Sequence, residues 1–381
     1  MYRSRLFMTM LFVAACRRDD PTAPTSPAMT NAGLSAANAG VVGNVYTASN
    51  STAGNAVLVF DRAPNGSLTA AGSYATGGVG TGAGLGNQSG ITLADGDRFL
   101  LVVNAGSNTV SSFRVNGDGS LELAGAVSSG GAQPISVTAA RDLVYVLNAG
   151  GSGNVAGFTL GSDGSLTAIP GSSRPLSTAA PGPAQIAFDP TGRVLVVTEK
   201  NTNRLTTYVV GHDGLASGPQ VTPSAGTTPF GFAFSHDGLL VVSEAFGGTP
   251  DASALSSYEV GKAGSTQVVS ASVPTTETAA CWVVITNSGR FAYTTNTGSG
   301  SVTGYAIVHD RLERLDPDGR TGATGPTPID LALSRDSRYL YTLNSGNETI
   351  SAFAVNANGS LASIAGGITG LPDGANGLAA R

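Results

Sequence analysis

The chain has 381 residues and a formal net charge of −5, and only 12% of its residues are charged. Outside the first residues there is no basic block, so nothing advertises an electrostatic footprint for nucleic acid. Gly is abundant at 53 residues, cysteine is limited to Cys16 and Cys281, and long amphipathic helical patterns are missing; this is the profile of an all-β chain rich in turns, not of a helical bundle or a disulfide framework.

In chain order, residues 1–15 (MYRSRLFMTMLFVAA) place Arg3 and Arg5 ahead of an apolar run too short to cross a bilayer, the pattern of a signal peptide. The run ends in Val13-Ala14-Ala15-Cys16, which resembles the bacterial lipobox and implies cleavage before Cys16 and diacylation of it. In lipoproteins of double-membrane bacteria an Asp after the cysteine favours inner-membrane retention; here Arg17 stands there, leaving outer-membrane or surface attachment open. Residues 16–44, rich in Pro, Thr, Ser, Ala and Asn, read as a flexible tether.

From Val45 a unit recurs, seen clearly in residues 99–121 (FLLVVNAGSNTVSSFRVNGDGSL) and 339–361 (YLYTLNSGNETISAFAVNANGSL). Each copy holds two alternating, β-branched and aromatic runs joined by Asn-(Ala/Ser)-Gly and followed by Asp/Asn-Gly-Ser-Leu, which are hairpin signals. First hairpin strands begin near Val45, Leu100, Val144, Val194, Leu239, Phe291 and Tyr339, a spacing of roughly 45–55 residues that suits a four-stranded propeller blade. A further strand, usually opened by Pro, precedes most hairpins, as at Pro134, Pro183, Pro229 and Pro328. The first unit lacks that leading strand, while the chain ends in one with no hairpin after it. We therefore expect a seven-bladed β-propeller over residues 45–381, with residues 377–381 completing the first blade and closing the ring.

The unit P-x-x-(apolar)-x-(F/L)-(S/D)-x-(D/T)-G-R-x-L-(Y/V)-V-x-N resembles the lactonase-like seven-bladed propellers, which include 6-phosphogluconolactonase of the propeller type and carboxymuconate-lactonizing enzyme. In those enzymes, leading strands carry Pro-His and Gly-Pro-Arg-His and a hairpin carries Asn-Glu, polar groups that meet at one end of the central channel. Here Ile135 stands in the place of the first His, and Ala184 and Gln185 replace Arg and His; Glu199 alone matches the acidic position. The resemblance thus implies the fold, and leaves the catalytic set dismantled.

Other constellations have bland explanations. His212, His236 and His309 each sit beside Asp at turn signals of different blades, so neither a catalytic nor a metal site is expected from them. Asn116-Gly117-Asp118-Gly119 and Ser162-Asp163-Gly164 lack the spaced carboxylates of a calcium loop. The Gly-rich residues 77–90 precede no helix and read as a long loop decorating a blade rim, as do residues 171–182 and 246–254. At the channel-lining position the leading strands carry Gly90, Ser136, Gln185, Gly231, Trp282, Asp330 and Gly377. Small residues suit a crowded axis; Trp282 and Asp330 do not follow from crowding, and with Gln185 and Glu199 they form a candidate channel-mouth binding set. Cys281 reads as a buried small apolar residue. Arg311, Arg314 and Arg320, in the densest charged stretch, read as a solvated edge strand or a docking patch.

Three functional readings follow. The first is an exported, lipid-anchored scaffold or accessory subunit, periplasmic or on the cell surface, partnered by an envelope membrane protein or complex and needing neither cofactor nor metal. The second is a lactone-ring hydrolase centred on Glu199. The third is a small-molecule binder at the channel mouth.

Overall fold

The computed structural model describes residues 40–381; the signal peptide, Cys16 and most of the tether lie outside the described residues. Seven antiparallel sheets form blades around a central channel. The inner strands are Asn376–Ala380 for blade 1, then Ile91–Ala94, Pro134–Ala140, Pro183–Phe188, Pro229–Phe234, Ala280–Ile285 and Pro328–Leu333 for blades 2 to 7. The links from blade to blade and the turns between second and third strands share one face, called here the connection face. The turns between first and second strands, and the Asp/Asn-Gly-Ser turns, share the opposite turn face.

Second strands such as Phe99–Asn104 and Val194–Glu199 are buried along their whole length, whereas outer strands such as Leu121–Ser128 are mostly exposed. Solvent exposure therefore rises outward along each blade, as expected when blades pack face to face and only the last strand meets water.

The turn between third and fourth strands, built in four blades on the repeated Asp/Asn-Gly-Ser motif, has a chemical purpose at the blade joints. In the Asp/Asn-Gly-Ser turns the carboxyl or amide oxygen of Asn65, Asp118, Asp163 and Asn358 accepts from the N–H and Oγ of the serine two residues on. The glycine between them adopts positive φ, 86° at Gly119 and 89° at Gly164, which no L side chain takes cheaply. Its carbonyl then accepts from a hydroxyl of the preceding blade. Tyr46, Tyr145, Tyr293 and Tyr341 donate to Gly119, Gly214, Gly359 and Gly66, and Ser112 and Thr207 donate to Gly164 and Gly264. Ser257 completes the belt by donating to Asp310 at 2.9 Å.

The two ways of supplying that hydroxyl are coupled across strands. In blades 3, 6 and 7 the second strand has Tyr and its partner on the third strand is small, Tyr145 opposite Gly157, Tyr293 opposite Gly304 and Tyr341 opposite Ala352, while Tyr46 of blade 1 faces Val59. A Cβ on Gly157 would lie 2.8 Å from the Tyr145 ring. Where the second strand has an aliphatic residue, the third has Ser or Thr, as in Leu101 opposite Ser112, Val196 opposite Thr207 and Val241 opposite Ser257. Either pair fills the same space and delivers one buried hydroxyl.

Ring closure follows the expected route: the strand order of the first sheet places Asn376–Ala380 beside Gly43–Ala48. Val45 pairs with Ala380 and Tyr46 with Ala379, while Thr47 Oγ1 donates to the Gly377 carbonyl at 2.6 Å. The seam is bridged again at the rim, where Tyr341 of blade 7 reaches Gly66 of blade 1.

Candidate functional site at the channel mouth

A bulge near the start of most inner strands, as between Pro134 and Ser136, Pro183 and Gln185, and Pro328 and Asp330, takes an N–H out of the ladder and turns it toward the channel. The residue before the strand is left-handed at Gln133, Gly182, Thr228, Ala279 and Thr327, and in blade 2 the left-handed residue is Ser89, two before Ile91. Each freed N–H then needs an acceptor. Ser89 O serves Val137, Ser136 Oγ serves Ile186 at 3.1 Å, and Gln185 Oε1 serves Phe232 at 2.6 Å. Asp330 serves two, Leu331 through Oδ1 at 2.8 Å and Leu378 through Oδ2 at 3.0 Å. The preceding inner strand has Trp282 at this position, which offers no acceptor, and that is why a carboxyl with two oxygens stands at 330.

Blade 5 contributes Gly231 here and again has no acceptor of its own. The gap is filled from across the channel by the link between blades 1 and 2, residues 77–90, which does not decorate a rim as expected but runs over the mouth on the connection face. Gln88 Oε1 accepts from Val283 N at 3.0 Å and its Nε2 donates to Val283 O at 2.8 Å, closing a two-bond amide pair with blade 6. Gln88 N donates to Ala184 O in blade 4, Asn87 Nδ2 to Ile135 O in blade 3, and Trp282 Nε1 to Asn87 O at 2.6 Å. Leu85 enters the apolar cluster that holds Ile135 and Ile186. Over this assembly Lys200 Nζ donates to Gly86 O and lies 4.8 Å above the Phe230 ring, which itself packs 5.0 Å from Trp282. The positions that the resemblance expected to be His and Arg, now Ile135 and Ala184, are thus the apolar seat and carbonyl partners of a plug.

The candidate residues fall into two groups. Gln185, Trp282 and Asp330 come together around the channel, and Glu199 lies one strand further out. Their exposures are 3%, 1%, 2% and 0% respectively, so none presents an open face to solvent. Glu199 is held by four bonds, from the N–H and Oγ of Ser177 and the hydroxyls of Thr202 and Thr206. It ends the second strand, and the same position in other blades is Asn104, Asn148, Glu244, Asn296 and Asn344. Asn104 accepts from Thr76 and Glu244 from Gly226 N in the same manner, each clamping the link that arrives from the previous blade. The acidic match at Glu199 is therefore one of a ring of structural clamps. What sequence reasoning missed was Leu85, Asn87 and Gln88, whose signal was being the large side chains in an otherwise Gly-rich stretch.

Burial pushes the Asp330 carboxyl well above the usual carboxylate range, only partly offset by the two N–H bonds, and burial also raises Glu244. A raised folded pKa favours the protonated native state, so this contribution to stability is complete below the unfolded Asp value of about 3.9 and is lost as pH rises through the folded pKa. Asp330→Ser, which keeps an uncharged acceptor like that of Ser136, should flatten the decline by up to about 1.4 kcal/mol per pH unit. Denaturant midpoints measured from pH 4 to 8 would show it as a wild-type slope steeper than the variant's; parallel slopes would refute the assignment. Glu244 contributes a decline of the same sign in both proteins.

The remaining candidates lie elsewhere. His212, His236 and His309 are exposed in three different blades, and among the described residues no group of three metal-binding side chains occurs. Arg311–Arg314 is the outer strand of blade 6. Arg311 donates to Val269 O, Arg314 to Pro274 O, and Arg320 to Glu277 at 3.0 Å, so all three lean onto blade 5 and its link to blade 6. Cys281 is fully buried.

The architecture recurs widely. A putative 6-phosphogluconolactonase from Bacteroides fragilis is 17% identical, with 89% of this chain and 98% of that one covered and a TM-score of 0.70. The periplasmic gluconolactonase of Pseudomonas aeruginosa is also 17% identical, covering 88% of this chain and 98% of its own, with a TM-score of 0.68. At such identity these likenesses show the fold alone. None of the curated proteins compared matches the chain. The family described as "Lactonase, 7-bladed beta-propeller" matches residues 44–370, and with the fold and the seven repeated units in agreement, the chain belongs to that lactonase family of seven-bladed β-propellers.

Proposed function

We propose that this member of the lactonase family has exchanged hydrolysis for a structural role: an exported propeller, tethered through Cys16, that serves as a rigid binding or scaffold subunit for a membrane protein or complex of the cell envelope. The observation that carries the reading is the plugged mouth. Asn87 and Gln88 occupy the end of the channel where the family's polar groups meet, and Ile135, Ala184 and a fully engaged Glu199 supply neither a proton shuttle nor an oxyanion partner. Losing one preorganised polar group commonly costs about a hundred- to a thousandfold in rate, and here three positions are replaced.

The purified protein should therefore open 6-phosphogluconolactone and simple lactones no faster than buffer. In native membranes it should fractionate with lipid and bring one stoichiometric membrane partner through detergent purification, and Cys16→Ala should move it to the soluble fraction. Membrane fractionation unchanged by Cys16→Ala would remove the anchor from the proposal. The second reading, a lactone hydrolase centred on Glu199, draws on the likeness to putative and periplasmic lactonases. Turnover that disappears in Glu199→Gln would establish it, and would require residues 77–90 to leave the mouth.

A further inference from the structure

Sealed on the connection face, the channel is open on the other. A cavity of about 500 Å³ runs inward from the turn face and ends blindly at Gln88, Ser89 and Gln185. Its walls include Leu93, Ala187, Phe234, Val284 and Leu333, which are only half-buried because one side of each faces the lumen. Apolar side chains left wet in this way are the usual lining of a site for an apolar group.

A second cavity of about 850 Å³ adjoins it on the same face, and Asp97 and Arg335 line both. The cleft also carries Arg62, Arg98, Arg381, Asp118 and Asp336. Its charges are unevenly engaged. Asp118 is held by Ser120, and Asp336 by Ser334 Oγ and Arg338 N. Arg62 bonds main-chain oxygens of Val42 and Arg381, and Arg381 bonds Asn44 Oδ1 and Asn116 O; each is close enough to a cleft carboxylate, Asp336 and Asp118 respectively, to favour the charged form of that carboxylate, but neither makes a direct side-chain ion pair. Arg98 pairs with Asp95 at 2.7 Å. Arg335, on the lip between the two cavities, is 72% exposed and meets Asp97 only at 3.4 Å. A guanidinium with free donors at the entrance of an apolar dead end defines one kind of ligand.

We propose that the turn face binds a single-chain amphiphilic anion, its acyl tail in the channel and its carboxylate on Arg335. This site has the plug residue Gln88 as its floor, and it stands whether or not the propeller also serves as a scaffold. The test is calorimetric titration of dodecanoate, below its micellar concentration, into the full chain carrying Cys16→Ala, so that no lipid on Cys16 competes. Saturable one-to-one binding is expected, with dodecyltrimethylammonium binding at least tenfold more weakly. Arg335→Ala, on an exposed side chain that the fold does not need, should weaken dodecanoate about tenfold, and Ala187→Phe, which fills the lumen, should weaken it at least as much; melting curves confirm that both fold. Absence of saturable binding, equal affinity for the two amphiphiles, or unchanged affinity in either folded variant would overturn the proposal.

Discussion

Deleting residues 371–381 is expected to abolish the cooperative unfolding transition, not merely to lower it. The segment supplies the inner strand of blade 1 and buries Leu371, Leu378 and Ala379 to 3%, 6% and 8% exposure. Two leucines alone contribute about 1.5–3 kcal/mol each. Their loss is compounded by four kinds of broken contact: the ladder to Val45 and Tyr46, the bond from Thr47 to Gly377, the grip of Arg62 on Arg381, and the N–H that Leu378 gives to buried Asp330. At about 0.5–1.5 kcal/mol for each hydrogen bond, and more where a buried polar group is left unpaired, the total reaches the whole stability of about 5–15 kcal/mol typical of a domain. The cut also exposes strand Gly43–Ala48 as a new edge. Far-ultraviolet circular dichroism during a thermal scan would show a broad or absent transition and concentration-dependent aggregation. An unchanged melting temperature would mean that the ring closes by other contacts.

Much of this fold was legible because each blade repeats its chemistry. The Asp/Asn-Gly-Ser turns announced themselves through residues that reach positive φ, and the missing leading strand of the first unit predicted the role of residues 377–381. The coupled choice between Tyr145 with Gly157 and Val196 with Thr207 was also present in the sequence, but it acquires meaning only when the strand register shows which residues face each other. The channel mouth was less legible for a related reason. Asp330 and Gln185 looked like candidate ligand groups because polar residues on inner strands are unexpected, yet their partners are main-chain N–H groups, of the next blade at Phe232 and Leu378 and of Asp330's own strand at Leu331, freed by bulges that leave no mark in composition. Trp282 stood out as unexplained by crowding, and its partner, Asn87, lies 195 residues away in a loop that reads as Gly-rich filler. Long-range complementarity of that sort is invisible to periodicity.

The same complementarity makes one glycine decisive. A Cβ on Gly231 would lie 2.1 Å from Gln88 Oε1, 2.5 Å from the Cys281 carbonyl and 3.0 Å from Trp282 Cα. Gln88 could swing aside, but the carbonyl and the Cα belong to the neighbouring inner strand and cannot. Gly231→Val should therefore push the inner strands of blades 5 and 6 apart and expel the Gln88 amide, leaving Val283 N and O without partners. Overpacking costs about 1–3 kcal/mol, and each of the two stranded polar groups adds about 1–3 kcal/mol, so the variant should melt many degrees lower. Trp282 is the sole tryptophan and is 1% exposed under Asn87, which makes its emission a direct gauge of the plug. Wild-type emission should be blue-shifted and insensitive to acrylamide; in Gly231→Val it should shift red and become quenchable. Gly84→Val is the matched control, because it lies in the same loop where an added Cβ meets nothing within 4 Å, and it should leave both emission and melting temperature near wild type. If Gly231→Val keeps the wild-type emission, or if Gly84→Val perturbs it equally, then the seal does not depend on the Gln88 amide, and the closed mouth would have to be explained by the packing of Leu85 and Phe230 alone.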